Sequence, residues 1–261
     1  MMRGLRDPAP PGPTGAWLGW VSVLLMLALW QGAALALQSR FLPSPITVAG
    51  QIAFLTTQGH LIQDFAATLL RAALGFSIAM VLGTAAGLAL GRSRLADRLF
   101  LNWVIVGMNL PAIVIAILCY IWLGLTDVAL MLAVVLNKTP LVITNIRQGV
   151  RAFDPAFDEM AQAFRLSPRE RLRHIFLPQL LPFLMAAART GLSLVWKIVL
   201  VFEVLGADRG VGFRVSLFFQ FFDLKGLLAY TTVFVAIVVA LEHLALGPLE
   251  RRWLAWRADP N

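Results

Sequence analysis

Three basic side chains, Lys138, Arg189 and Lys197, stand inside otherwise apolar runs of this 261-residue chain. A lone cation in such a run is costly unless it pairs, reaches an interface or faces an aqueous path. Each therefore has two readings: a point where an anion passes, or a structural charge. Lys197 and Glu203 are six apart and do not share a helical face, so their pairing does not follow from spacing. No other group of residues forms a catalytic set. His60, His174 and His243 are scattered, and Cys119 stands alone in an apolar run, so there is neither metal-ligand spacing nor a disulfide framework. No GxxxxGK[ST] loop is present to cradle nucleotide phosphates. The chain is expected to carry no catalytic site, no metal and no cofactor of its own.

The densest charge lies elsewhere. EMAQAFRLSPRERLRHIFLPQLLP, Glu159–Pro182, packs four arginines, two glutamates and a histidine between long apolar runs. Just before it, Asp154-Pro155 opens a helix. The aspartate suits the N-cap, and the proline suits the first turn, where an N–H has no intrahelical partner. Asp158 and Glu159 then sit near the positive end of the helix dipole. Phe157, Met160, Ala161 and Phe164 follow at i, i+3, i+4 and i+7, one apolar stripe on a short helix outside the membrane. Ser167-Pro168-Arg169-Glu170 opens a second helix through a capping box. Leu172, Ile175 and Phe176 give that helix an apolar face, and Pro178 and Pro182 are expected to break or kink the chain beyond it. Two short helices at an angle, pinned at both ends, are expected. Their stripe needs cover, either from a partner protein or from the chain's own helix ends and lipid.

The elements that position these groups are membrane spans. Only 14% of the residues are charged and 59% are apolar, against roughly 25% charged in soluble domains, and the mean hydropathy is +0.78. Six spans can be drawn, at about Ala16–Leu37, Ala72–Leu90, Asn102–Trp122, Val128–Ile146, Leu181–Leu205 and Leu227–Leu246. A helical turn or two from Leu61 to Arg71 precedes the second. That span carries Gly75, Gly83, Gly87 and Gly91 on one face, which lets another helix approach closely. The first apolar stretch is long enough to span, which favours a retained helix over a cleaved signal. With the N-terminus in the cytosol, fourteen of the 22 basic residues fall on the cytosolic side. The outer loops hold Arg40, Arg209, Arg214 and Lys225. Both termini are then cytosolic. The net charge of +8 is not gathered on one patch, which argues against a nucleic-acid partner.

Glu159, Ala161, Ile175, Leu177 and Pro178 fall at the places of the "EAA" loop: Glu, a small residue, Ala, three residues, Gly, nine residues, Ile, one residue, Leu-Pro. On these residues the chain resembles the permease subunit of a bacterial ABC importer. Met160 replaces the small residue and Arg165 stands at the glycine, where an arginine can hold the backbone if φ stays negative. ATLLRAALGFSIAMVLGTAAGLALGRS, FLPSPITV and NKTPLVITNIRQGVRAFDP are similar to segments of the nitrate, sulfonate and taurine permease group. So is AARTGLSLVWKIVLVFEVLGADRGVGF, with Glu203 and Gly210-Val211-Gly212. The third-span region NWVIVGMNLPAIVIAILCYIWLGLTD is less typical of that group.

The resemblance implies an all-α polytopic protein with the type I ABC importer fold and about six transmembrane helices. It implies a cytosolic tail over 1–15, a first transmembrane helix and outer loop over 16–60, a permease core over 61–249 and a cytosolic tail over 250–261. The coupling loop, 151–180, lies in the core. Two permeases, as a homodimer in the inner membrane lipid, would each dock a separate ATPase that binds the ATP. A periplasmic solute-binding protein would deliver a small anion such as nitrate, sulfonate, taurine or bicarbonate. Phe157, Met160 and Phe164 would enter a groove of the ATPase, with Glu159 orienting polar groups nearby. Ala161, Arg165 and Ser167 complete the coupling set, and Lys138, Arg189 and Lys197 are candidates for the path. Two alternatives stand beside this: a pyrimidine vitamin precursor as the solute, or a secondary transporter run by an ion gradient. The latter often shows internal repeats, and no convincing one is present.

Overall fold

The computed structural model describes residues 13–241. Residues 1–12 of the expected N-terminal tail, residues 242–249 of the expected core with the end of the sixth span, and the whole expected C-terminal tail lie outside them. The described residues are almost wholly helical: α1 Pro13–Leu37, α2 Pro45–Thr57, α3 Leu61–Arg92, α4 Arg94–Asn109, α5 Ala112–Leu123, α6 Asp127–Arg151, α7 Pro155–Ala163, α8 Pro168–Arg171, α9 Leu177–Gly206, α10 Val211–Gln220 and α11 Leu224–Leu241. Local chemistry explains many of the joints. Ser44 caps α2 by accepting the Thr47 N–H, with Pro45 in the first turn, and Thr126 caps α6 by accepting the Ala129 N–H. Ser93 alone separates α3 from α4, ending the first and capping the second.

The core is the seam between α3 and α6. A Cβ built on Gly75 would stand 2.8 Å from Val134, one on Gly83 2.5 Å from Val142, one on Gly87 2.7 Å from Ile146 and one on Gly91 2.7 Å from Val150. Every partner lies 59 positions further along the chain, so the two helices run parallel in one fixed register. The glycine row leaves room only for the branched side chains opposite, which brings the two backbones close. The same offset sets Lys138 against Ala79, and both are buried. α9 packs on this pair, and Gly191 meets the ring of Phe76. Trp196, Val199 and Phe202 of α9 join Ala72, Cys119, Leu130 and Val134 in the main apolar cluster.

Among the described residues, five helices are long and apolar enough to span a membrane, or six if α4 and α5 form one bent crossing. The expected third span, Asn102–Trp122, is therefore not a single rod. α4 starts earlier, at Arg94, and meets α5 at a bend of 98°. The cause is Pro111, which offers no N–H to the preceding turn and holds Leu110 extended at φ −67°, ψ 126°. α4 lies antiparallel along α6. Val104 packs with Ile143, and a Cβ on Gly107 would stand 2.9 Å from Pro140.

The second difference lies after the capping box. Pro178 and Pro182 do not break the chain. Residues Leu172–Phe176 form one wide π-type turn that leads directly from α8 into α9, so Pro168–Gly206 is a continuous 39-residue helical path. The wide turn lets the Leu177 N–H reach back to the Leu172 carbonyl just before Pro178, which has no N–H to place. The expected turn or two before the second span is likewise uninterrupted helix from Leu61.

Gly83→Leu is expected to force α3 and α6 apart and to destabilise the protein by about 1–3 kcal/mol, as overpacking does in tight cores. Gly32→Leu, at a site with nothing within 4 Å of an added Cβ, should leave thermal unfolding in detergent nearly unchanged.

Candidate functional site

The α7–α8 pair stands at the C-terminal end of α6. Asp154 accepts the Ala156 N–H at 2.9 Å, and its own N–H donates to Gln179 of α9 at 3.1 Å. α7 ends in a Schellman motif: the Leu166 N–H reaches the Ala161 carbonyl at 2.9 Å, and the Arg165 N–H reaches Gln162 at 3.1 Å. This places Arg165 at φ +50°, so the condition under which an arginine would hold this backbone without strain is not met. The position keeps the left-handed turn of the motif glycine although the residue has a side chain. The Ser167 box is closed: its hydroxyl donates to Glu170 at 2.6 Å, its N–H donates at 2.9 Å, and the Glu170 N–H returns at 3.4 Å. The bond from the Ser167 hydroxyl holds the Glu170 carboxyl below its usual range. Arg171 pairs with Asp158 at 2.7 Å across the two helices, and Phe176 stacks edge-on to Phe153 and carries the Arg92 guanidinium 4.4 Å above its ring.

The four-residue stripe divides. Ala161 turns inward and is buried, whereas Phe157 and Met160 are 44% and 42% exposed and Phe164 is 74% exposed. Glu159 is exposed beside them. The chain's own helix ends therefore do not cover the three large side chains.

A second polar assembly lies at the opposite end of α3 and α9. Glu203 is wholly buried. Its carboxylate accepts the Thr68 hydroxyl at 2.8 Å, the Arg71 guanidinium at 2.7 Å and the Gly212 N–H at 2.9 Å. Arg71 also donates to Asp127 through Nε at 2.9 Å and to the Arg209 carbonyl at 2.7 Å. Asp64, also buried, accepts the Gly210 N–H at 3.1 Å, Arg214 at 2.7 Å and the Tyr230 hydroxyl at 2.8 Å. Arg209 reaches the other oxygen of Asp127 at 3.0 Å. Three arginines thus meet three carboxylates, and α3, α6, α9, α10 and α11 are tied together. Gly210 sits at φ +110°, and a Cβ there would fall 2.5 Å from the Glu203 carboxylate. Only glycine lets the backbone wrap that closely.

Part of this assembly carries a local signature, although none of its members was among the candidate site residues. Asp64, Thr68 and Arg71 lie at i, i+4 and i+7, a polar row on one helical face. Their partner Glu203 is 132 positions beyond Arg71, and no local pattern links the two.

These two assemblies, on a bundle of this topology, decide what the comparisons mean. The profile of the binding-protein-dependent transport system inner membrane component family matches residues 79–247. The chain belongs to this family. The permease is 30% identical to the aliphatic sulfonates transport permease protein SsuC of Escherichia coli (strain K12), over 94% of this chain and 95% of that protein. It is 29% identical to the taurine transport system permease protein TauC of the same organism, over 93% and 90%. An inward-facing structure of the MetNI methionine ABC transporter superposes with a TM-score of 0.64 at 17% identity, over 76% of this chain and 98% of that one. The fold is that of an ABC importer transmembrane domain, and the permease is a transport subunit rather than an enzyme.

The three cations expected along the path do not come together. Lys138 is buried in the α3–α6 seam. Arg189 and Lys197 are exposed on α9. Lys197 does not pair with Glu203, whose carboxylate points to the other side of α9 and is taken by Arg71.

Leaving one member of a buried ion pair behind typically costs about 3–5 kcal/mol. Arg71→Met is expected to lower thermal stability on that scale. Arg209→Ala, which removes an exposed partner of Asp127, should cost under about 1 kcal/mol. Melting of the two purified variants checks the difference.

Proposed function

We propose that this permease carries a small organic anion of the sulfonate class inward, driven by a separate cytosolic ATPase and supplied by a periplasmic solute-binding protein. The similarity to permeases named for aliphatic sulfonates and taurine supports the solute class. The observation that carries the reading is the face of α9 that holds Lys197. Thr190, Leu194, Lys197, Val201 and Val204 recur at heptad-like spacing, and all are exposed on the single chain. Lys197 lies nine residues, about 14 Å, inside the C-terminal end of α9. It forms no ion pair among the described residues. An ammonium facing lipid at mid-span costs at least about 2.5–3.5 kcal/mol. An aqueous path between two copies of the permease relieves that cost and offers a passing sulfonate a cation. Lys138, enclosed in the α3–α6 seam, is poorly placed for such a path.

The α7–α8 pair is the point of coupling in this reading. Phe157, Met160 and Phe164 supply an apolar knob held on a rigid, capped frame, with Glu159 beside it. The end that bears them is cytosolic, as the distribution of arginines indicates. Movement of a docked ATPase passes through the π-type turn into α9 without an intervening loop.

Reconstitution with the ATPase and binding protein in liposomes, followed by ATP-driven taurine uptake, tests both parts. Lys197→Met should cut uptake at least tenfold while Lys197→Arg retains much of it. Glu159→Ala with Phe164→Ala should leave the protein inserted but separate ATP hydrolysis from uptake. Normal transport by Lys197→Met would remove the path assignment, and normal coupling in the double variant would remove the docking assignment.

A further inference from the structure

At the coupling-loop end, the start of α4 and the ends of α3 and α6 surround an open cleft of about 510 Å³, lined by Gly91, Arg92, Arg94, Asp97, Arg98 and Arg151. Four guanidinium groups face one carboxylate there. That carboxylate is already taken: one Asp97 oxygen receives the Nε of Arg147, and the other receives Arg147 at 3.0 Å and Arg151 at 2.6 Å. Arg92 is engaged over the ring of Phe176. Arg94 and Arg98, one turn apart on α4 and exposed, form no ion pair among the described residues. The cleft therefore has an excess of positive charge that the described residues do not neutralise.

A second observation lies on the same helix. Leu95, Leu99, Trp103 and Val106 form a row directly beside the Arg94–Arg98 row. They are 69%, 57%, 76% and 59% exposed. The row leads away from the cleft toward the level where Gly107 meets Pro140, which lies midway along α6. Positive charge at one end and an apolar track running into the span match a ligand with an anionic head and hydrocarbon tails.

We propose that this cleft is a binding site for an acidic phospholipid. Arg94 and Arg98 grip the headgroup phosphate, with Arg92 and Arg151 adding to the field, and an acyl chain lies along Leu95, Leu99 and Trp103. Guanidinium forks suit phosphate oxygens, and basic clefts at the cytosolic membrane surface attract anionic headgroups. The apolar track distinguishes this ligand from free phosphate, which has nothing to place on it. It also distinguishes it from an acidic protein surface, which would cover the end of the bundle and not the side of α4.

The test uses the purified full-length permease in nanodiscs of phosphatidylcholine, with phosphatidylglycerol of the same chain length added in steps. Binding is read by native mass spectrometry and thermal shift. Phosphatidylglycerol is expected to bind at least tenfold more tightly than phosphatidylcholine and to raise the melting temperature. Arg94→Gln with Arg98→Gln should abolish that preference, and Arg94→Lys with Arg98→Lys should restore part of it. Leu99→Ser should weaken phosphatidylglycerol binding and leave any response to inorganic phosphate unchanged. The proposal is overturned if phosphatidylcholine binds equally or if inorganic phosphate reproduces the full shift. It is overturned also if the glutamine variant keeps its lipid preference, including the case in which that variant instead loses co-purification with its ATPase.

Discussion

Two parallel helices can lie with their backbones close only where one of them gives up its side chains. α3 does so about once per turn over its second half, at Gly75, Gly83, Gly87 and Gly91 and with only a methyl group at Ala79, and α6 fills the space with Val134, Val142, Ile146 and Val150, with Lys138 opposite Ala79. This seam fixes the axial position of both helices, because a slip of one residue would drive Cβ atoms into backbone. Much else depends on that register. It sets Arg71 beside Asp127 at one end, and it brings the start of α4 to the last turns of α6 at the other, where Asp97 meets Arg147 and Arg151.

The seam holds α3 and α6 in register, and α9 is the helix that continues from α8. The two are joined at opposite ends by different chemistry. Near the α7–α8 pair the contacts are apolar: Val142 and Ile146 of α6 bury Leu180 and Ala187 of α9, and a Cβ on Gly149 would stand 2.5 Å from the ring of Phe183. At the far end Glu203 is held by saturated, buried hydrogen bonds to α3 and α10.

What could be read from the residues was mostly what acts over a few positions. The Asp154 cap, the Ser167 capping box and the glycine face of α3 all depend on spacings of eight or less, and the structure shows each of them. Phe157, Met160 and Phe164 were readable as a stripe, although Ala161 belongs to the inner face of the same helix. Long-range pairing was not readable. Arg71 and Glu203 find each other through the α3–α9 packing, and neither residue's neighbours indicate it. One reading failed because one local rule outweighed another. Hydropathy carried the third span through Pro111, where backbone geometry bends it by 98°. The bend at Arg165 was open in the sequence, because an arginine fits easily only at a negative φ; the two bonds of the Schellman motif hold it in the left-handed region. Pro178 was the reverse case: a proline expected to interrupt the helix is absorbed by a wider turn.

The buried Arg71–Glu203 pair also constrains the order of assembly. As the chain is made from its N-terminus, the Arg71 guanidinium emerges 56 residues before Asp127 and 132 residues before Glu203. Until Asp127 arrives, the first turns of α3 hold a cation with no acid from a later helix to meet it, which keeps that part of the helix at the aqueous boundary. Glu203 then enters on α9 and is sealed by the amide of Gly212. α10 and α11 therefore close over a charge that has already been neutralised.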